Sequence, residues 1–252
     1  MATQSTIEWT EQTWNPTTGC TKVSPGCKNC YAEVMARRLK AMKTPGYEKG
    51  FKLACHENRL NQPLKRKTPT VYFVNSMSDL FHEDISDSFL NQVFSVIKST
   101  PQHTYQILTK RAERLPEYFA SRPCPRNVWL GVSVEDRKYG VPRIDFLRQV
   151  EASIRFLSIE PLLEDIGTFN LEGIHWVIVG GESGHKARPM RPEWVMNIQS
   201  QAEANGSAFF FKQWGGWGAD GVKRHKKANG RILQGRTWDE YPSNEIKIYP
   251  AL

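Results

Sequence analysis

From residue 70 onward, short apolar blocks alternate with longer stretches in which apolar residues recur every three or four positions. Val71-Tyr72-Phe73-Val74 is an unbroken apolar run, the pattern of a strand covered on both faces. Ser86 to Ser99 then places Phe89, Leu90, Val93, Phe94 and Ile97 at helical spacing, with Ser86 a candidate cap and Pro101 past the end. The pattern predicts further strands at Tyr105–Leu108, Val128–Val132, Ile154–Ile159, Ile174–Val179 and Ala208–Phe211. It predicts helices near 112–120, 141–150 and 192–204, the last with Pro192 in its first turn and Gly206 beyond it.

Strands alternating with helices imply βα units and a parallel sheet. Six strands lie between Val71 and Phe211, and Thr6-Ile7-Glu8-Trp9 is the best candidate for a seventh. The expected fold is therefore α/β, a partial (βα) barrel of six or seven parallel strands over residues 1–214, with a doubly wound sheet as the competitor. Residues 215–252, rich in glycine and basic residues and carrying Trp217 and Trp238, form a C-terminal appendage with no strong period.

Each strand pattern ends in polar residues. In order these are Asn75-Ser76-Met77-Ser78-Asp79, Thr109-Lys110-Arg111, Ser133-Val134-Glu135-Asp136, Glu160-Pro161, Gly180-Gly181-Glu182-Ser183-Gly184 and Lys212-Gln213-Trp214. βα barrels build their active sites at this end of the sheet. Ordinary loop polarity is the plainer explanation, but charges abutting buried strands are costly.

The 252 residues are 39% hydrophobic and 24% charged, as in a soluble globular protein. No apolar run has transmembrane length, and Met1–Trp14 lacks the character of a signal peptide, so a cytoplasmic protein is expected. The net charge of +8 is uneven: residues 35–67 hold ten basic side chains against two acidic ones, and Lys223-Arg224-His225-Lys226-Lys227 forms a second basic run. Such patches attract polyanions, nucleic acid above all, or simply solvate a face.

Cysteine spacing narrows the chemistry. Cys20, Cys27 and Cys30 form C-x6-C-x2-C in a loop containing Gly19, Pro25 and Gly26, directly before a helical pattern from Tyr31 to Met42. Three thiolates hold a soft metal or an iron–sulfur cluster and leave one coordination position open. The helix amino end, with Lys22 and Lys28, is expected to lower thiolate pKa and favour an anionic cluster. Structural zinc needs a fourth ligand, for which Cys55-His56 and Cys124 are the candidates. From spacing alone the two remain open. A non-catalytic zinc-stabilised nucleic-acid binder and a metal-free barrel hydrolase using Glu160 and Glu182 are the rival classes. His82 reads as a structural histidine.

The cysteine loop resembles that of the radical S-adenosylmethionine (SAM) superfamily, whose usual pattern is C-x3-C-x2-C on a partial βα barrel. Here the first spacing is six, and Asn29 stands where an aromatic is usual. The resemblance implies that Cys20, Cys27 and Cys30 bind a [4Fe–4S] cluster, that SAM chelates its open iron, and that an external electron donor drives formation of a 5′-deoxyadenosyl radical. It further implies SAM contacts from Asn75, Ser76, Asp79, Ser133, Glu135, Gly180, Gly181 and Glu182. Lys110, Arg111 and Lys212 would suit an anionic substrate such as a nucleotide or nucleic acid. Nearly the whole chain is similar to a phage and prophage family known as the three-Cys-motif proteins, whose function is unassigned. The similarity runs through Ile7-Glu8-Trp9-Thr10, Trp14-Asn15-Pro16, the cysteine loop, 75–82, 108–111, 128–135, 180–184 and 211–216.

Overall fold

The computed structural model describes residues 5 and 7–242. A short strand β1 (Gln12–Trp14) opens the main sheet, and β2 (Thr17–Thr18) pairs antiparallel with β3 (Ala54–Cys55) beside it. Between them runs α1 (Tyr31–Ala41), and after β3 comes one helical turn, α2 (Glu57–Leu60). The alternation then begins: β4 (Val71–Val74), α3 (Asp87–Lys98), β5 (Thr104–Thr109), α4 (Arg114–Phe119), β6 (Val128–Ser133), α5 (Arg143–Arg148), β7 (Ile154–Ile159), β8 (Trp176–Gly180), α6 (Pro192–Asn205) and β9 (Ala208–Gln213). A last turn, α7 (Lys226–Asn229), follows.

Seven strands pair in parallel in the order β1-β4-β5-β6-β7-β8-β9, so each new strand is laid beside the previous one and the sheet curls into a half-barrel. Capping follows the side-chain chemistry: Ser86 Oγ accepts the Phe89 amide at 3.2 Å to start α3, and Gly206 ends α6 at φ +73°. The seventh strand is not Ile7–Trp9. That segment turns, its Thr10 amide donating to the Ile7 carbonyl, and Trp9 is drawn instead across the concave face against Phe73, Phe156 and Trp176. Burying an indole among three rings outweighs ladder pairing there. Thr6 lies outside the described residues.

Strand side chains alternate between two cores. One set, including Tyr72, Val74, Ile107, Leu130, Leu157, Val177 and Phe211, packs under the helices. The other set faces the barrel interior and changes character along each strand. Its lower tier is apolar: Phe73, Trp129, Ile154, Phe156, Trp176, Ile178 and Phe210. Two residues further on, the same face carries Asn75, Gly131, Ser158, Gly180 and Lys212. The interior is thus closed below by rings and lined with polar groups above.

The edges of the half-barrel are β1 and β9. Chain segments bridge them: Glu8 meets Lys226 at 3.5 Å, and the Tyr241 hydroxyl donates to the Glu8 carbonyl. The stretch after β9 returns to the sheet through Phe211 N–H to the Trp238 carbonyl, and Leu233 and Trp238 join the helix-side core. Among the described residues no helix is long and apolar enough to cross a membrane.

Gly131 is needed by packing. A Cβ there would sit 2.6 Å from the Phe156 ring, which lies across β6. Gly131→Ala is expected to lower stability by about 1–3 kcal/mol, read as a shifted urea midpoint with unchanged slope.

Candidate functional site

The polar strand ends surround a cavity of about 610 Å³ whose lining includes Cys20, Cys27 and Cys30 together. The cysteine loop spans the barrel mouth and is fastened to four strand ends in turn. After β4, Ser78 Oγ donates to the Gly19 carbonyl at 2.6 Å and the Gly19 amide to the Met77 carbonyl, while the Tyr31 hydroxyl donates to the Ser76 carbonyl. After β5, Arg111 holds Cys20 and Thr21. After β6, Glu135 accepts a hydrogen bond from the Ser24 hydroxyl. After β8, Glu182 accepts Asn29 Nδ2 at 3.0 Å.

Arg111 is 7% exposed, and its five N–H donors all have acceptors. Nε donates to Glu83 at 2.5 Å, Nη1 to Cys20 Sγ at 3.4 Å and Asp79 Oδ2 at 3.3 Å, and Nη2 to the Thr21 carbonyl and hydroxyl at 3.2 and 2.7 Å. Nothing is left for a substrate anion. Asp79 is equally committed: Oδ1 accepts Thr109 Oγ1 and the Phe81 amide, and Oδ2 accepts the Lys110 amide and Arg111. His82, fully buried, accepts the Asp84 amide at Nδ1, so Nε2–H is directed at Thr21 Oγ1 at 2.9 Å, and it too serves the loop.

Glu135 is fully buried between Arg143 Nη1 at 2.7 Å and Lys110 Nζ at 3.9 Å. Burial raises its carboxyl pKa, but the Lys110 and Arg143 cations and the Ser24 and Arg143 hydrogen bonds outweigh burial and hold it below the usual range. Glu182 behaves alike: burial is outweighed by hydrogen bonds from the Arg188 side chain and amide and from Asn29. Neither carboxylate is a free ribose ligand or general base.

Other expected contacts are also redirected. Asn75, at φ +60°, accepts the Thr17 amide and donates to Thr17 Oγ1, which ties β4 to β2. Ser76 Oγ donates to Asn15 and keeps its lone pairs. Gly181 makes room for protein, not cofactor, since a Cβ there would lie 2.0 Å from the Trp214 carbonyl oxygen. A Cβ on Gly180 would lie 3.3 Å from the Glu160 carboxylate. Gly19 takes a left-handed turn at φ +80°, whereas the Glu135 carboxylate packs where a Gly26 side chain would be. Lys212 meets both Glu160 oxygens at 2.8 Å inside the cavity. Ser133 and Ser158 line the cavity with no hydroxyl partner among the described residues. Sequence reasoning missed Ser158, Gln213 and the loop-side partners Thr21, Ser24 and Asn29. The period of two through Ile154, Phe156, Ser158 and Glu160 was the signal for the first.

The donor set fits a cluster held at three corners. Cys55 lies in β3 and Cys124 beyond α4; neither lines the cavity, so no fourth thiol completes a cage there. Among the described residues no three or more His, Cys, Asp or Glu side chains gather about one point as ligands to a single ion. The expected lowering of thiolate pKa is not met at Cys20: burial pushes its thiol up to about 11, Asp79 adds to this, and Arg111 opposes it. Coordination itself would have to deprotonate it.

A model of the family described as "Protein of unknown function (DUF5131)" matches residues 4–242. The chain belongs to that family. No curated protein matches it. Solved structures similar to this member of the family include a spore photoproduct lyase complexed with dinucleoside spore photoproduct (TM-score 0.51, 11% identity, 81% of this chain and 64% of that one). A point mutant of spore photoproduct lyase aligns at TM-score 0.55 and 11% identity over 85% of this chain and 79% of the other. A double mutant with bound AdoMet and dinucleoside spore photoproduct aligns at 0.50 and 12% over 81% and 64%. The chain thus spans 64% of the length of the first of these structures. Identities this low carry the fold alone, a parallel α/β half-barrel.

Glu135→Gln leaves the buried Arg143 and the half-buried Lys110 without their carboxylate and is expected to cost about 3–5 kcal/mol at pH 7. Because the native carboxyl sits below its ordinary range, its contribution is present above that range and is lost as pH falls through the lowered value. The gap between wild type and variant in urea unfolding should therefore narrow as pH falls below the ordinary carboxyl value of 4.5.

Proposed function

We propose that the protein is a radical SAM-type iron–sulfur enzyme that modifies or repairs a nucleotide or nucleic acid, drawing electrons from an external donor. The observation that carries this reading is the placement of three thiols from one loop in a single cavity at the C-terminal mouth of a parallel half-barrel, with no fourth thiol beside them. Support also comes from the fold shared with lyases solved with AdoMet and a dinucleoside photoproduct.

On this reading Cys20, Cys27 and Cys30 hold a [4Fe–4S] cluster. When bound, the cluster and SAM would supply a carbon-centred radical through reductive cleavage of SAM. The chain's own work is positioning. Arg111, Glu135 and Glu182 fix the loop, and the Arg111 contact with Cys20 Sγ tunes the electronics of a coordinating sulfur. Asn75, Ser76 and Ser133 line the cavity, and the Ser76 and Ser133 hydroxyls would be available to SAM. Lys212 and Glu160 face the substrate as a neutral pair. The aromatic floor and Trp9 exclude water from below.

Anaerobic iron–sulfide reconstitution tests this. About four irons per chain and 5′-deoxyadenosine released from SAM with a reductant are expected. Cys20→Ser, Cys27→Ser and Cys30→Ser should each abolish both. One zinc with no iron, or full activity in the triple cysteine variant, rejects the proposal.

A further inference from the structure

Each of the four cations lining the cavity lies within 3.9 Å of a carboxylate; Arg143 shares one of these, Glu135, and Glu83 adds a second beside Arg111, so the charges balance. Lys110 faces Glu135, Arg111 faces Asp79, Lys212 faces Glu160 and Lys226 faces Glu8. Three cysteine sulfurs add negative charge once they coordinate. A free nucleotide entering whole would have to bury a phosphate with no unpaired cation to receive it, which is costly. The rim is different. Lys28 lies between two cavity-lining cysteines, Lys186 bonds Asn29 through its carbonyl, and Lys227 follows the cavity-lining Lys226. Arg38 lies on α1, one turn beyond Val34 and the cavity-lining Met35. All four are exposed, and among the described residues none pairs with a carboxylate.

The interior offers something else. Gln213 is 5% exposed, and its Oε1 has no hydrogen-bond partner, while its Nε2 is spent on Ser183 and Gly181. A buried amide oxygen left open in a cavity is an acceptor awaiting an N–H donor. The Ser158 and Ser133 hydroxyls line the same cavity. The hydroxyls could serve either a base or a phosphate, but the Gln213 acceptor oxygen suits the N–H edge of a nucleobase and repels a phosphate.

We infer that the substrate is a nucleotide within a nucleic-acid strand, its base inserted into the cavity against Gln213 and its phosphates kept outside on Lys28, Arg38, Lys186 and Lys227. This inference rests on the enzyme reading above and names its substrate class. A strand meets both conditions at once, because its backbone continues past the mouth while one base leaves the stack.

The test uses the reconstituted full chain and a fluorescein-labelled single-stranded DNA followed by anisotropy. Four phosphate contacts predict about 50-fold weaker binding at 200 mM salt than at 50 mM. Arg38→Glu, Lys186→Glu and Lys227→Glu combined should weaken binding tenfold or more with iron content unchanged. Gln213→Leu should weaken binding of the base-bearing strand about tenfold and leave an abasic strand of equal length unaffected. Nucleoside monophosphates at 1 mM should not displace the strand. Displacement by monophosphates, salt-independent binding, indifference to the charge reversal, or an acidic redox protein occupying these cations in place of the strand overturns the inference. Iron content and 5′-deoxyadenosine release are read separately, so this result does not decide the reaction class.

Discussion

The site depends on one buried guanidinium. Arg111 bonds two carboxylates, a carbonyl, a hydroxyl and a thiol, and through them joins the end of β5 to the start of the cysteine loop. Arg suits this place because its five donors are fixed in one plane and its charge does not titrate away. An ammonium has three donors and no fork. Without the guanidinium, Asp79 would face a buried thiol with no cation between them, and the loop would lose its hold on the barrel.

Glu135 and Glu182 repeat the device at two more strand ends. Each is a buried carboxylate whose countercharge is supplied by the barrel, Arg143 for one and Arg188 for the other, and whose remaining lone pairs reach the loop. Paying desolvation for several ion pairs is poor economy for stability alone. It makes sense where an eleven-residue segment of glycine, proline and polar residues, Cys20–Cys30, must be held at a defined height above a sheet it does not join.

Much of this was legible beforehand. The strand runs, α3 with its Ser86 cap, and the polar strand ends follow from periodicity and capping chemistry that act locally. The cavity-lining cysteines follow from spacing. What escaped was pairwise. Nothing local tells Arg111 from Lys110; both line the cavity, yet all five donors of Arg111 are consumed in the scaffold while Lys110 meets only Glu135. Gly181 looked like a place for a ligand, and its neighbour proved to be the Trp214 carbonyl. Trp9 sits in an alternating run that mimics a strand, but its ring is worth more in the barrel than its backbone is in a ladder. Each miss is a contact between residues far apart in sequence, which no window along the chain can see.

The inward-facing positions form two storeys. Groups that fasten the loop, such as Arg111, Glu135 and Glu182, stand two residues past their strand ends, while Ser133, Ser158 and the rings below them stand within the strands. Among the described residues the Ser133 and Ser158 hydroxyls bond nothing in the upper storey. Relatives could therefore exchange small residues for large ones at the level of Ser133 and Ser158, and accept quite different guests, while keeping the same roof.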